Sequence, residues 1–319
     1  MRRRMQVSDR IGRRMKLHDI HVFVSVVQAG SMGKAAGLLN TTQSAISRSI
    51  ADLERVLGVQ LLDRSPQGVQ PTRYGNALLK RGTIIFDELK QSIADIEHLS
   101  DPGAGELCIG TSTPQADGIV FAVLDRLSQQ YPRISIRVVM GGILELCDQL
   151  RERRIELGCA RMSGAETVED IDEEVLFDDP LVVVAGAKNP WVRRRKIDLA
   201  DLVAEPWTWT SPGSLTDRLV IEAFRSRGVP PPRARIYAET TSMKIRLAAT
   251  GRFLAVVPAS MLRFHENRAL ITKLPVEISA TRTQVGIITL KNRMLSPLAR
   301  LFIECAREVS KALARNAKG

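Results

Sequence analysis

The amino-acid sequence predicts a mixed fold: an all-α N-terminal head with a small hairpin, a long connecting helix, and a C-terminal α/β body of two lobes. Three patterns predict it. Helix-period apolar spacing runs through residues 17–57, a heptad-like stripe follows over 73–99, and short strand-like runs alternate with helical stretches from residue 107 onward. The chain has 319 residues, enough for two or three domains of ordinary size.

The head is organised around Ser31 to Ile50, which reads as two short helices joined by a tight turn. Leu17, Ile20, Phe23, Val24 and Val27 fall on one face of a first helix over 17–29, with Gly30 as its C-cap and Ser31 capping the next. Asn40 and Thr41 favour a turn, because their side chains compete for backbone hydrogen bonds. Thr42 then caps a further helix whose Ile46, Ile50, Leu53 and Leu57 form a buried stripe. Gln43, Ser44, Ser47 and Arg48 lie opposite that stripe. They are hydrogen-bonding groups near a helix N-terminus, as reading base edges in a major groove requires. An ordinary hairpin with a solvated face is the competing reading.

Residues 59–72 carry two β-like runs around Ser65-Pro66-Gln67-Gly68, a hairpin that makes the head a winged helix-turn-helix. Arg64, Gln67 and Thr72 are its candidate backbone contacts, and Thr72 also suits the cap of the next helix; Ser31 and Thr42, at the two helix starts, are counted with them as candidate DNA-binding residues. That helix, expected over 73–99, places Leu79, Gly82, Phe86, Leu89, Ile93 and Ile96 in a seven-residue pattern suited to pairing with a second subunit. Asp101 to Gly105 is read as a linker.

The body alternates strands and helices, so a mainly parallel sheet is expected in each lobe. Ser112-Thr113, Gly142, and Thr210-Ser211 with Ser214 all follow expected strand ends. Such positions line the crevice where ligands of these folds bind, although each alone also suits plain helix capping. Ser112, Thr113, Gly142, Thr210, Ser211 and Ser214 are therefore the candidate effector-binding residues.

Net charge is +11, which favours a polyanionic partner. Six arginines crowd residues 2–14, a stretch read as a disordered basic extension. Met1, Met5 and Met15 are alternative translation starts, with Met15, just before the first folded residue, slightly favoured. No secretory pattern follows the basic start and no run is long and apolar enough to span a membrane, so a cytoplasmic protein is expected. Cys108, Cys147, Cys159 and Cys305 form no close pair and the four histidines join no acidic cluster, so neither a metal nor another cofactor is expected. The α/β half has no nucleophile elbow, P-loop or GxGxxG, and the adjacent Asp178 and Asp179 point oppositely on a strand, so no catalytic residue is assigned. An enzyme with a basic accessory domain and an exported solute-binding protein remain the alternatives.

Residues 17–100 resemble the N-terminal module of the LysR-type transcriptional regulators. The resemblance rests on Leu17…Phe23-Val24, Gly30-Ser31…Ala35-Ala36…Leu39, Thr42 to Ile50, Leu53-Glu54…Leu57-Gly58, Leu61 to Arg64 and Pro71-Thr72…Gly75. Ser296-Pro297 before the last helix extends it over nearly the whole chain. The resemblance implies a periplasmic-binding-protein-like effector domain and a homotetramer, a dimer of dimers, on an imperfect promoter palindrome of double-stranded DNA. RNA polymerase is a further partner it allows. Base contacts would fall on Gln43, Ser44, Ser47 and Arg48, and the effector would be a sugar or an organic or aromatic acid. The expected division is a head over 15–72 after the extension 1–14, a linker helix over 73–102, lobe I over 103–177 and 282–319, and lobe II over 178–281.

Overall fold

The computed structural model describes residues 15–65, 68–162, 168–278 and 283–315. The expectation placed on residues 1–14 lies outside them. By internal contacts the chain divides into two compact units between Ile93 and Ala94.

The first unit holds α1 (Leu17–Ala29), α2 (Met32–Leu38), α3 (Gln43–Leu57), the hairpin β1 (Leu62–Ser65) and β2 (Gly68–Pro71), and most of α4 (Arg73–Ser100). Gly30 closes α1 in the left-handed conformation, and Ser31 accepts from Lys34 N at 3.1 Å to start α2. Asn40 takes positive φ in the turn, and Thr42 accepts from Ala45 N at 3.2 Å to start α3. Ile20, Phe23, Ala35, Ile46, Ile50 and Leu53 meet in the core. Leu17 was expected on that face but is 51% exposed, and Val22 and Val26 are buried instead. The α1 core contact is broader than one stripe because α3 and α4 both pack on it: Gly82 of α4 lies where an added Cβ would meet Ile20 and Val24 at 3.1 Å.

β1 and β2 pair antiparallel, with Leu62 opposite Pro71 and Ser65 opposite Gly68. Gly68 has φ +132° and lies against Gly30, whose carbonyl accepts from Val69 N at 3.0 Å, so a side chain here would collide with that backbone. α4 has 28 residues, roughly 42 Å of helix. Its start is capped by Thr72, which accepts from Gly75 N at 3.1 Å.

The second unit contains two five-stranded sheets. The first has the order β4 (Arg133–Met140), β3 (Ala104–Thr111), β5 (Leu157–Met162), β12 (Gln284–Leu290) and β6 (Ile171–Asp178). One face is covered by α5 (Phe121–Gln130) and by the closing α10 (Pro297–Arg315), through Val123, Leu127 and Phe302. The other is covered by α6 (Ile143–Arg151), through Leu146 and Leu150. The second sheet has the order β11 (Ile271–Lys273), β7 (Leu181–Gly186), β10 (Leu254–Pro258), β8 (Trp207–Trp209) and β9 (Ala234–Tyr237). α7 (Leu215–Arg225) packs on one side, with Phe224 edge-on to Trp207 at 6.0 Å. α8 (Thr241–Ala249) packs on the other through Ile245 and Ala248. A short helix α9 (His265–Leu270) leads into β11.

Three expectations need correction. The sheets are not mainly parallel: β3 pairs parallel with β4 and β5, but β12 is antiparallel to both β5 and β6. In the second sheet β7 likewise runs against β10 and β11. The chain leaves the first sheet after β6 and returns through β12, and strands that carry it between sheets run against their neighbours. β6 itself was missed, because Ile-Asp-Glu-Glu-Val has no strand-like alternation. The linker also shrinks to Asp101–Gly103, since β3 already begins at Ala104.

Candidate DNA-binding surface and effector cleft

Gln43, Ser44 and Arg48 are exposed on one face of α3, with Ser47 half-buried beside them. That face is held by the opposite one: Ile46, Ile50 and Leu53 are in the core, and Ser49 Oγ donates to Asp19 Oδ1 of α1 at 2.5 Å. Thr42 Oγ1 and Ser44 Oγ are 3.0 Å apart, so the cap and the first turn form one polar cluster. Ser31 is placed as the cap of α2. Arg64 is exposed on β1, and Gln67 lies outside the described residues. Thr72 is committed inside the fold, donating to Gln60 O at 2.8 Å as well as capping α4. Sequence reasoning gave Glu54 no role. Its Oε1 accepts from Leu61 N at 2.7 Å and Leu62 N at 3.3 Å, tying α3 to the strand that carries Arg64.

All six candidate effector residues meet in the body. Ser112, Thr113, Gly142, Thr210, Ser211 and Ser214 line one cleft of about 620 Å³ between the two sheets. Ser112 follows β3, and its hydroxyl donates to Gln115 Oε1. Gly142 is the N-cap of α6, with its N–H taken by Glu145 Oε2 at 2.9 Å. Ser214 caps α7 by accepting from Asp217 N at 3.2 Å, and Ser211 Oγ lies 3.3 Å from Glu239 Oε1. The hydroxyls of Thr113 and Thr210 make no hydrogen bond among the described residues. Capping and cleft-lining are therefore the same arrangement: strand ends and helix starts converge from both sheets.

Sequence reasoning missed the charged part of the cleft. Arg161 is the penultimate residue of β5 and Lys244 lies on α8; both are buried and line the cavity. Arg161 Nη1 donates to Asp179 O at 2.6 Å and to Thr283 Oγ1, and Nη2 is 3.4 Å from Asp179 Oδ2. Burial pushes the Lys244 amine down to about 8, with the Arg161 charge adding to the effect. A signal for Lys244 was present: Thr241, Lys244, Ile245 and Ala248 have the spacing of a buried helical stripe, and all four are buried.

Cys147, Cys159 and Cys305 are buried and Cys108 half-buried, all as free thiols. Burial pushes the Cys159 thiol up to about 12, so it carries no thiolate at neutral pH. No group of three or more potential metal ligands occurs among the described residues, and no helix there is long and apolar enough to cross a membrane.

A winged head with an exposed polar helix face, together with an α/β domain holding a polar cleft between two sheets, defines a ligand-responsive DNA-binding regulator. The chain belongs to the LysR family of bacterial transcriptional regulators. Residues 17–76 match the family description "Bacterial regulatory helix-turn-helix protein, lysR family", and residues 100–311 match "LysR substrate binding domain". The chain is 27% identical over 305 residues to the HTH-type transcriptional regulator GbpR of Azospirillum brasilense, covering 95% of this chain and 89% of that one. Its fold is similar to that of a full-length OxyR variant from Pseudomonas aeruginosa, with TM-score 0.65 and 20% identity over 93% of this chain and 95% of that one. It is similar also to full-length CbnR complexed with its target DNA, with TM-score 0.52 and 23% identity over 93% and 100% of the two chains. The protein is thus a DNA-binding transcriptional regulator with an effector-binding domain, and not an enzyme.

Proposed function

We propose that Gln43, Ser44, Ser47 and Arg48 read base edges in the major groove of a promoter palindrome, with Ser31, Thr42 and Arg64 contacting its backbone. The observation that carries this reading is the exposed polar face of α3, fixed from behind by Ile46, Ile50 and the Ser49–Asp19 bond. Residues 15–72 act as the head and 73–102 as the linker helix. Residues 103–177 with 282–319 form one lobe and 178–281 the other. Leu89, Ile93 and Ile96 are exposed on α4, an apolar stripe that a second copy would cover. A dimer of dimers in the cytoplasm, with RNA polymerase as a partner at the promoter, follows the same reading.

The effector, a sugar or an organic or aromatic acid, binds in the cleft lined by Ser112, Thr113, Gly142, Thr210, Ser211 and Ser214, and its occupancy biases how the heads hold DNA. DNase I footprinting on duplex from upstream of its own gene tests this. The expected result is a protected region with two half-sites, altered by a compound that also raises Tm. A protein that protects no upstream region at low salt would overturn it.

A further inference from the structure

The cleft holds a positive charge that the protein itself does not answer. Lys244 is 4% exposed and lines the cavity, yet no hydrogen bond or ion pair reaches its Nζ among the described residues. Arg161 faces the same cavity from the other sheet, and its Nε is buried without a partner. Asp179, the buried carboxylate beside Arg161, is already engaged. Its Oδ1 accepts from Ser260 N at 2.9 Å, and its Oδ2 accepts from Ser260 Oγ at 2.8 Å besides pairing with Arg161.

A buried charge is unfavourable unless a counter-charge or hydrogen bonds compensate it. The other acids nearby do not supply either. Glu145 is exposed and bonded to Gly142 N, Glu239 is exposed and bonded to Ser211 Oγ, and Asp117 accepts from Ser242 N at 3.2 Å at the start of α8. Burial and the Arg161 charge both lower the Lys244 pKa, as expected for a cation lacking its anion.

We propose that the effector is a small oxyanion, a carboxylate or a phosphate ester, whose charged group lodges between Lys244 Nζ and Arg161 Nε. This rests on the cleft reading above and narrows it, since a neutral sugar would leave Lys244 without a counter-charge and give Arg161 Nε no anion. Lys244 and Arg161 come from different sheets, so the bound anion draws charge from both lobes. Through Arg161 it also touches Asp179 and Thr283, where the chain passes between the sheets. The free hydroxyls of Thr113 and Thr210 supply orientation for the rest of the molecule.

Thermal shift of the full-length protein tests the proposal at pH 7 and fixed ionic strength, using matched probes: gluconate and glucose 6-phosphate against glucose, and benzoate against benzyl alcohol. At least one anion is expected to raise Tm where its neutral counterpart does not, and the two acid classes separate carboxylate from phosphate. Lys244→Met is expected to abolish that shift, and Lys244→Arg to retain part of it. Affinity for the anion should fall about tenfold per pH unit well above the Lys244 pKa. A neutral probe that stabilises wild type and Lys244→Met alike would overturn the proposal and leave the cleft reading standing. So would anion shifts that persist in Lys244→Met. Silence from every probe counts against the proposal, while promoter protection by the same preparation shows that the regulator reading survives.

Discussion

Arg161 on β5 and Asp179 just beyond β6 are paired at 3.4 Å with both side chains buried, at the place where the chain crosses from the first sheet to the second. Asp179 also holds Ser260, just beyond β10 of the second sheet, so one carboxylate fastens the crossing from both sides. Removing one member of a buried pair leaves the other uncompensated. Asp179→Ala is therefore expected to cost about 3–5 kcal/mol, read by urea denaturation. A loss under about 1 kcal/mol would mean the pair is not a fastening.

Lys244 makes a prediction about pH in the opposite sense to most ion pairs. Its folded pKa is lowered to about 8 from 10.5. Below about 8 both folded and unfolded chains carry the proton, and the cost of the buried charge is present in full. Between about 8 and 10.5 the unfolded chain binds more protons, so this group's contribution to stability rises with pH. The gain is on the order of 3 kcal/mol. Comparing wild type with Lys244→Met from pH 7 to 10 isolates the effect: the variant is more stable than wild type at pH 7, and the difference shrinks as pH rises.

Phosphate and base contacts separate by their salt dependence. Arg64→Ala is expected to reduce the slope of log affinity against log salt by about 1 and to weaken all sequences alike. Gln43→Ala is expected to leave the slope unchanged and to cost about 1–3 kcal/mol of discrimination at one base pair. Fluorescence anisotropy on specific and scrambled duplexes at several salt concentrations reads both.

Thr72 is expected to behave as a cap. Both sides of its hydroxyl are used within the fold, toward Gln60 O and Gly75 N. Thr72→Ala should cost about 1 kcal/mol of stability with the salt slope unchanged. A lowered slope with unchanged Tm would instead place the hydroxyl on the DNA backbone.

The stripe on α4 gives an assembly prediction. Ile93→Lys with Ile96→Lys adds charge to a face where these side chains are 56% and 64% exposed. Sedimentation velocity is expected to show a smaller species than wild type, with little change in the stability of the head.

Local rules made much of this chain legible before its structure. Ser31, Thr42 and Gly30 are caps because short hydroxyls and a glycine satisfy helix ends wherever they fall, and their spacing marked the helices within a residue or so. The six cleft residues were legible for the same reason, since strand ends followed by caps recur from both sheets. What local pattern could not supply was pairing direction. β12 and β7 run antiparallel because of where the chain crosses between sheets, which no window of residues records. Leu17 was misplaced because a stripe says which face is apolar and not where packing stops. Arg161 and Lys244 were missed because a lone cation on a helix or at a strand end is ordinarily solvated. Only the fold brings them together, although the burial-type spacing of Thr241, Lys244, Ile245 and Ala248 was a usable hint.

The outer face of α3 is expected to meet duplex DNA in a sequence-dependent way. The most direct measurement compares wild type and the Gln43→Ala, Arg48→Ala double variant on upstream duplex and on a scrambled duplex at one salt concentration. Wild type is expected to prefer the upstream duplex by about 10³-fold or more, and the double variant to lose most of that preference while still binding both weakly. Equal preference in the two proteins would contradict the account.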